Sequence, residues 1–506
     1  MHELTERAYR LTLAILILVA VARIASTYRV FSDTADEGMH LSAGLQVLSD
    51  HRFGIHLHNP PMPRVVIAFA PWLAGARWDP AHASMEQINT MFFALGDYKR
   101  MLVLARMGTI VFFVIAVVFT TFLARRQIGA SGALLTAFFF TTQPTILGHA
   151  GLATVDVAGT AGFAVALVAF SLWLAQPTWR NVLILGLAYG FAINCKFLCI
   201  AYVPIACGAV YAVALISDDA TRRMWRRSFA LLTVPFVGFI LVWAGYGFSI
   251  GRYGTLLMPA PLFWRGLFDM MAVNRAGFAS YAFGHVSTSG WWWYFPAALG
   301  LKSPIAFLLL VLAGALFARR SVLPSIAAAA AILALAMDTH VDIGVRYILP
   351  IFVPLSIAAT GGALAMLRDG RRVVRAAAVV LIAWYAVSTT IAHPDYLAYF
   401  NEIGGRDPSR YLVDSNLDWG QDLLRLRAAL RKRHVERVGV ALMGTANCSR
   451  LGYPPNDALS PWSPSKGWVA VSDHIYRMEG ASGGFRWLDP YKYVRVGKSI
   501  RLIYIP

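Results

Sequence analysis

Long apolar runs recur along this chain, and that recurrence limits its fold more than any other feature. Eleven such runs lie at residues 11–30, 101–124, 131–148, 154–175, 181–195, 197–216, 228–249, 303–318, 322–337, 346–367 and 373–392. A helix of about 20 apolar residues spans the hydrocarbon core of a bilayer. Only 14% of the 506 residues are charged, whereas a soluble domain carries about 25%. The chain therefore lacks the ionisable groups to cover a water-exposed surface of its own. These runs predict a polytopic, mainly α membrane protein with about eleven spans, and exclude a soluble enzyme, a disordered chain and a coiled coil.

The net charge of +18 is explained by the same pattern. Basic residues cluster between apolar runs, at Arg125-Arg126, Arg222 to Arg227, Arg319-Arg320 and Arg368 to Arg375. With the N-terminus in the cytoplasm, these clusters and Arg180 all fall on the cytoplasmic side, which is where loop lysines and arginines accumulate. Such charge binds anionic lipid headgroups, and nucleic acid is excluded as a partner. The first run could be mistaken for a signal peptide, because Ala22-Arg23-Ile24-Ala25-Ser26 loosely resembles a cleavage site; its length and Arg23 favour a span. Four cysteines show no zinc-type spacing.

The opposite side receives residues 31–100, 250–302 and everything after about 393. We expect a transmembrane domain over 1–393 with outer loops 31–100 and 250–302, and a small α/β extracytoplasmic domain over 394–506. In the first loop, residues 40–49 and 64–78 read as interfacial helices, the second interrupted by Pro71. In the tail, Trp419, Leu423, Leu426 and Leu430 follow helical spacing behind the capping residues Ser415, Asn416 and Asp418. Strand-like runs follow at Val438–Met443, Trp468–Val471 and Ile500–Ile505.

Ionisable residues at membrane depth are costly unless paired, so they are candidates for function. Those that stand out approach the outer face: Asp33, Asp36 and Glu37 after the first run; His56, His58 and Asn59 before Pro60-Pro61; Asp156 opening the fourth run; Lys196 after the fifth; Lys302 opening the eighth; and Asp338, His340, Asp342 and Arg346 around the start of the tenth. Each has a plain structural reading too. Asp36 and Glu37 can favour the start of a helix near Met39, the histidines can be surface residues, and Asp156 can cap its span. Lys196 can snorkel, Lys302 can anchor at the interface, and Trp291-Trp292-Trp293-Tyr294 fits an aromatic belt. Their shared side points to one outward-facing pocket.

These residues, in this order, resemble the membrane glycosyltransferases of the GT-C superfamily, nearest the bacterial family 39 group related to protein mannosyltransferases and to the aminoarabinose transferase of lipid A. The stretches that carry the resemblance are Asp36-Glu37-Gly38-Met39-His40, His58-Asn59-Pro60-Pro61, Ala153-Thr154-Val155-Asp156, Gly290 to Pro296, Lys302-Ser303-Pro304, Arg346 to Pro350 and Asp414 to Asp422. The resemblance implies a polyprenyl-phosphate sugar donor, transfer with inversion to a hydroxyl of a lipid, glycan or protein acceptor, and action at the outer face of the cytoplasmic membrane. It makes Asp36 the expected catalytic base, with Glu37 second. It makes His58, Asn59, Asp156, Lys196, His285, Tyr294, Lys302 and Arg346 the expected donor- and substrate-binding set. A leaving phosphate calls for cations or a divalent metal ion. The relatives' Glu-Lys before the proline is His58-Asn59 here, so no metal site is assigned. An oligosaccharyl transferase or ligase of the same superfamily is the near alternative. A transporter is disfavoured by the absence of repeated halves, and a non-enzymatic scaffold predicts that Asp36 and Asp156 are dispensable.

Overall fold

The computed structural model describes residues 5–82, 88–93, 96–217, 221, 225–444 and 446–506. Within the Arg222–Arg227 cluster, residues 222–224 lie outside the described residues, as do 83–87 and 94–95 of the first outer loop.

Apolar runs and long apolar helices are not in one-to-one register among the described residues. Seven described helices are long and apolar enough to cross a membrane: Glu6–Thr27, Tyr98–Thr142, Asp156–Ala175, Cys199–Ser217, Arg227–Gly245, Val345–Leu367 and Arg372–Ile391. An eighth is reached if Tyr294–Lys302 and Ile305–Phe317, bent by 113°, count as one span. Two expected runs, 101–124 and 131–148, fall largely on the single 45-residue element Tyr98–Thr142. That element is broken at Gly129, whose φ of 78° and ψ of 179° are not helical and which a residue without Cβ adopts freely. The bend after Lys302 comes at Ser303, in extended backbone, and Pro304, which has no N–H to continue the helix. The runs at 181–195 and 322–337 form 17-residue helices, Trp179–Cys195 and Arg320–Ala336, at the short end of the crossing range.

Burial sorts the spans. The apolar window of Val345–Leu367 is 89% buried and that of Asp156–Ala175 78%, so these two form the centre. Glu6–Thr27 and Arg227–Gly245, each 17% buried, and Arg372–Ile391 at 22% form the periphery. The centre is tightly packed at small residues, as membrane helices pack: a Cβ on Gly362 would lie 2.1 Å from the Leu310 carbonyl oxygen. The segment 31–100 holds the helices Glu37–Asp50 and Pro61–Leu73, the second continuing through Pro71. The two pack against one another, the first largely buried and the second leaving Phe69 and Leu73 exposed.

The tail forms a five-stranded mixed sheet in the order Asn456–Ala458, Val438–Ala441, Gly467–Ser472, Ile500–Ile505, Tyr493–Val496. The first three strands run parallel and the last three antiparallel. Strand alternation divides the side chains between two cores. Val469, Val471, Ile503 and Ile505 join Phe485 and Leu488 on one face, while Ala470, Ile500 and Leu502 join Leu423, Leu426 and Leu430 on the other. The predicted tail helix begins at Leu423, not at Trp419, which precedes it. Trp419 is instead locked beside the first outer loop: Ala35 N–H donates to the Trp419 carbonyl at 3.1 Å and Ser32 N–H to that of Gln421 at 3.0 Å. This backbone bridge sets Asp36 next to the tail.

Candidate active site

Asp36 occupies the N-cap position of Glu37–Asp50, but its side chain caps nothing. It turns to Arg346, whose Nη1 donates to Oδ2 at 2.6 Å. Arg346 belongs to the irregular turn Val345–Ile351 that leads into the central span. Its guanidinium stacks on Trp419, 4.3 Å from the ring centroid, and Tyr347 flanks it at 5.2 Å. Asp156, the first residue of its span, accepts from Lys196 Nζ at 2.6 Å and from Thr154 Oγ1 at 3.0 Å. Its second oxygen lies 4.0 Å from Arg346 Nη1, which links the two pairs. Lys196 stands in extended backbone at the break between Trp179–Cys195 and Cys199–Ser217. Its stem lies on Gly159, where a Cβ would come within 2.9 Å of Lys196 Cβ.

Thus Asp36, Arg346, Asp156 and Lys196, taken from four distant stretches, form one cluster of two acids and two cations. His149 Nδ1 is 4.0 Å from Asp156. Burial pushes this imidazole down to about 3, so the contact is between a neutral ring and a carboxylate rather than an ion pair. Three buried nitrogens here, Arg346 Nε, His149 Nδ1 and His40 Nδ1, have no hydrogen-bond partner within the protein. Burial, reinforced by Arg64, holds His40 neutral as well. Buried donors and acceptors without partners are rare in folded proteins, and these three lie beside the cluster, where they are open to a polar ligand. Asp414 approaches from the tail; its φ is 55°, burial raises its carboxyl, and His474 Nδ1 stands 3.9 Å from it.

Glu37 does something different from its neighbour. It is wholly buried, and its two oxygens accept from Arg106 Nε and Nη2, both at 2.8 Å, from Ala153 N–H at 2.8 Å and from Thr34 N–H at 2.8 Å. The same guanidinium donates to the carbonyls of Tyr28, Phe31 and Ser32. A carboxylate so fully engaged has no lone pair left for a substrate proton.

Two further expected binding residues also serve as fasteners. Lys302 is buried, with Nζ donating to the carbonyl oxygens of Leu397, at 2.8 Å, and Asn416. Tyr294 accepts from Asn416 Nδ2 at 2.9 Å, while Asn416 Oδ1 accepts from Val345 N–H at 3.0 Å. Asn416 thereby ties three elements together beside Arg346. Asp342, raised to about 6 by burial, accepts from Trp291 N–H at 2.6 Å and pins the tryptophan-rich turn. His58 and His285 are exposed and Asn59 is half-buried. None of these three hydrogen-bonds to the cluster among the described residues. No group of three or more His, Cys, Asp or Glu side chains able to hold a metal ion forms among them either.

Sequence reasoning singled out neither Arg106 nor His149, and it named His40 only within a motif, without a role. For Arg106 the signal was present, as an arginine inside the apolar run 101–124 must be paired or functional. His149 carried none, since a single histidine is chemically uninformative until its neighbours are known.

Comparison with known proteins agrees with this architecture. Residues 88–246, which contain Asp156 and Lys196, match the family described as dolichyl-phosphate-mannose-protein mannosyltransferase. No curated protein sequence matches the chain. Among solved structures, apo ArnT of Cupriavidus metallidurans is 15% identical, with 97% of each chain covered and a TM-score of 0.49. The Archaeoglobus fulgidus oligosaccharyltransferase tethered to an acceptor peptide is 12% identical, with 97% of this chain and 72% of that one covered, at a TM-score of 0.52. The fold-level likeness rests on the latter. The chain is a multi-pass membrane protein with the GT-C fold of the membrane glycosyltransferases, as its motifs implied.

Proposed function

We propose that this protein is an inverting glycosyltransferase that moves a sugar from a polyprenyl-phosphate donor to an acceptor hydroxyl at the outer face of the cytoplasmic membrane, with its N-terminus in the cytoplasm. On this reading residues 1–393 form the catalytic membrane domain and 394–506 an extracytoplasmic one. One observation carries the proposal. Asp36 is 21% exposed where Asp156 is 2% and Glu37 fully buried, and it faces a guanidinium whose Nε is unpaired.

The reaction needs a base at the acceptor and positive charge at the leaving phosphate. The acceptor oxygen attacks the anomeric carbon as the bond from that carbon to the phosphate oxygen breaks. The electron pair leaves with the polyprenyl phosphate, and the hydroxyl proton passes to Asp36. A single displacement inverts the anomeric centre. Arg346 and Lys196 are the cations available to the departing phosphate, and stabilisation of developing charge by preorganised donors is a large term in such reactions. When Arg346 turns to the phosphate, Asp36 loses its partner and becomes a free carboxylate beside the acceptor. Asp156 keeps Lys196 in place.

The test uses purified protein in lipid and a panel of polyprenyl-phosphate sugars, following release of polyprenyl phosphate and the anomeric configuration of the product. Turnover of one donor with inversion, lost in Asp36→Asn, is expected. Retention of configuration, or an undiminished rate in Asp36→Asn, defeats the assignment.

A further inference from the structure

Beside the catalytic cluster, the tail holds a polar hollow that the transfer mechanism does not use. It is an open concavity of about 550 Å³. Arg410, Arg477 and Arg501 line it with Asp407, and Arg495 reaches Asp407 at 3.6 Å. Arg477 donates to Asp407 at 2.7 Å, and Arg501 donates to Asp473 at 2.7 Å. Arg495 also bonds Asp473, while Arg410 is 3.5 Å from Asp407 and 73% exposed. Four guanidiniums against two carboxylates leave two positive charges in the hollow. The adjoining depression adds Arg486 and Asp489, which offset one another.

The aromatic lining is as particular as the charge. Arg501 stacks 3.9 Å from the Tyr476 ring centroid and 5.0 Å from that of Tyr493. Tyr493, 41% exposed, and Phe283, 44% exposed, stand at the rim. A pin that merely joined the segment around Asp407 to the sheet would need two arginines and no open aromatic surface. Guanidiniums that bind anions bidentately, set among aromatic rings with exposed faces, suit a sugar ring that bears a carboxylate or phosphate. One helix links the hollow to Asp414. The Asp473–Gly480 helix places His474 against Asp414 and, one turn on, Arg477 in the hollow.

Resting on the transferase reading, we propose that this hollow binds an anionic saccharide, the acceptor, and so delivers its hydroxyl towards Asp36. The test is equilibrium binding to the full-length protein in lipid of tetragalacturonate, glucose 6-phosphate, neutral maltotetraose and inorganic phosphate. Wild type, Arg410→Gln and Tyr493→Ala are compared, with melting temperature as the control for folding. One charged sugar is expected to bind about tenfold more tightly than both maltotetraose and inorganic phosphate, with about a tenfold loss in each variant. Equal binding of inorganic phosphate reduces the hollow to a simple anion site and overturns the proposal. Equal binding of maltotetraose, or variants that bind as wild type, overturns it too. The bound saccharide is then added to donor-loaded protein. Faster release of polyprenyl phosphate supports its role as acceptor, and an unchanged rate overturns that role. Intact binding with no donor turned over under any condition overturns the transferase reading instead and leaves the saccharide site standing.

Discussion

Asp36 and Glu37 are adjacent in the chain, each is paired with an arginine, and the two pairs do opposite things. Glu37–Arg106 is closed: neither side chain is exposed, and every oxygen and nitrogen has partners drawn from the first outer loop, the Tyr98–Thr142 helix and the turn before Asp156. Asp36–Arg346 is open at 21% and 11% exposure, with one guanidinium nitrogen unpaired. Two charges cost several kcal/mol each to bury, and this is offset only when all their hydrogen bonds are made. The closed pair meets that condition and sets the geometry. The open pair leaves it unmet, and an unmet polar group is what a substrate can satisfy.

Substitutions separate the two pairs. Asp36→Asn is expected to lower the transfer rate by about 10²–10⁴-fold, the range for loss of a general base, with little change in melting temperature. A destabilised protein with normal turnover per folded molecule would reverse the roles assigned here. Glu37→Ala strands a buried guanidinium and is expected to cost about 3–5 kcal/mol of stability, read as a lower melting temperature in detergent and a poor yield of folded protein. A well-folded Glu37→Ala protein with no activity would place Glu37 in the chemistry after all.

A smaller effect probes the support beneath Asp156. In Gly159→Ala the new methyl meets the Lys196 stem, so transfer is expected to fall by about tenfold, as one charge-assisted contact shifts. Unchanged kinetics would show that Lys196 can move without consequence.

The smallest effect is on pH dependence. Asp33, beside the closed pair, accepts from the Tyr98 hydroxyl at 2.5 Å, and its other oxygen is unpartnered. Burial raises its carboxyl to about 7. A group whose pKa is raised on folding binds its proton more tightly in the folded state. Its contribution to stability is therefore full below the ordinary value near 3.8 and is lost as pH rises through about 7. Asp33→Asn should flatten the fall in melting temperature across that window. A wild-type profile already flat there would mean that Asp33 ionises freely.

The cluster of Asp36, Asp156, Lys196 and Arg346 was legible because each stands at or shortly beyond the end of an apolar run, where charge is conspicuous. Lys302 and Tyr294 were equally conspicuous, yet the fold uses them to hold Asn416. Conspicuous charge shows that a residue matters without separating a fastener from a reagent. Whether neighbouring carbonyls consume its hydrogen bonds is settled by distant chain segments, 95 and 114 residues away for Lys302. His58 and His285 drew notice by residue type, and both came to lie exposed.

The sequence alone determined that the chain enters a membrane, that its tail forms a sheet, and which charges would be expensive. Hydrophobicity and strand alternation are local and additive, so they can be summed along the chain. It did not determine how many helices cross, since that depends on a break at Gly129 and a bend at Pro304. Residue type alone did not distinguish Asp36 from Glu37; only the family resemblance ranked Asp36 first. Adjacent carboxylates are chemically alike until folding surrounds one with Arg106, Ala153 and Thr34 and leaves the other facing a half-satisfied Arg346. Only tertiary structure decides solvent access and the sharing of hydrogen bonds, because both belong to the neighbours and not to the residue.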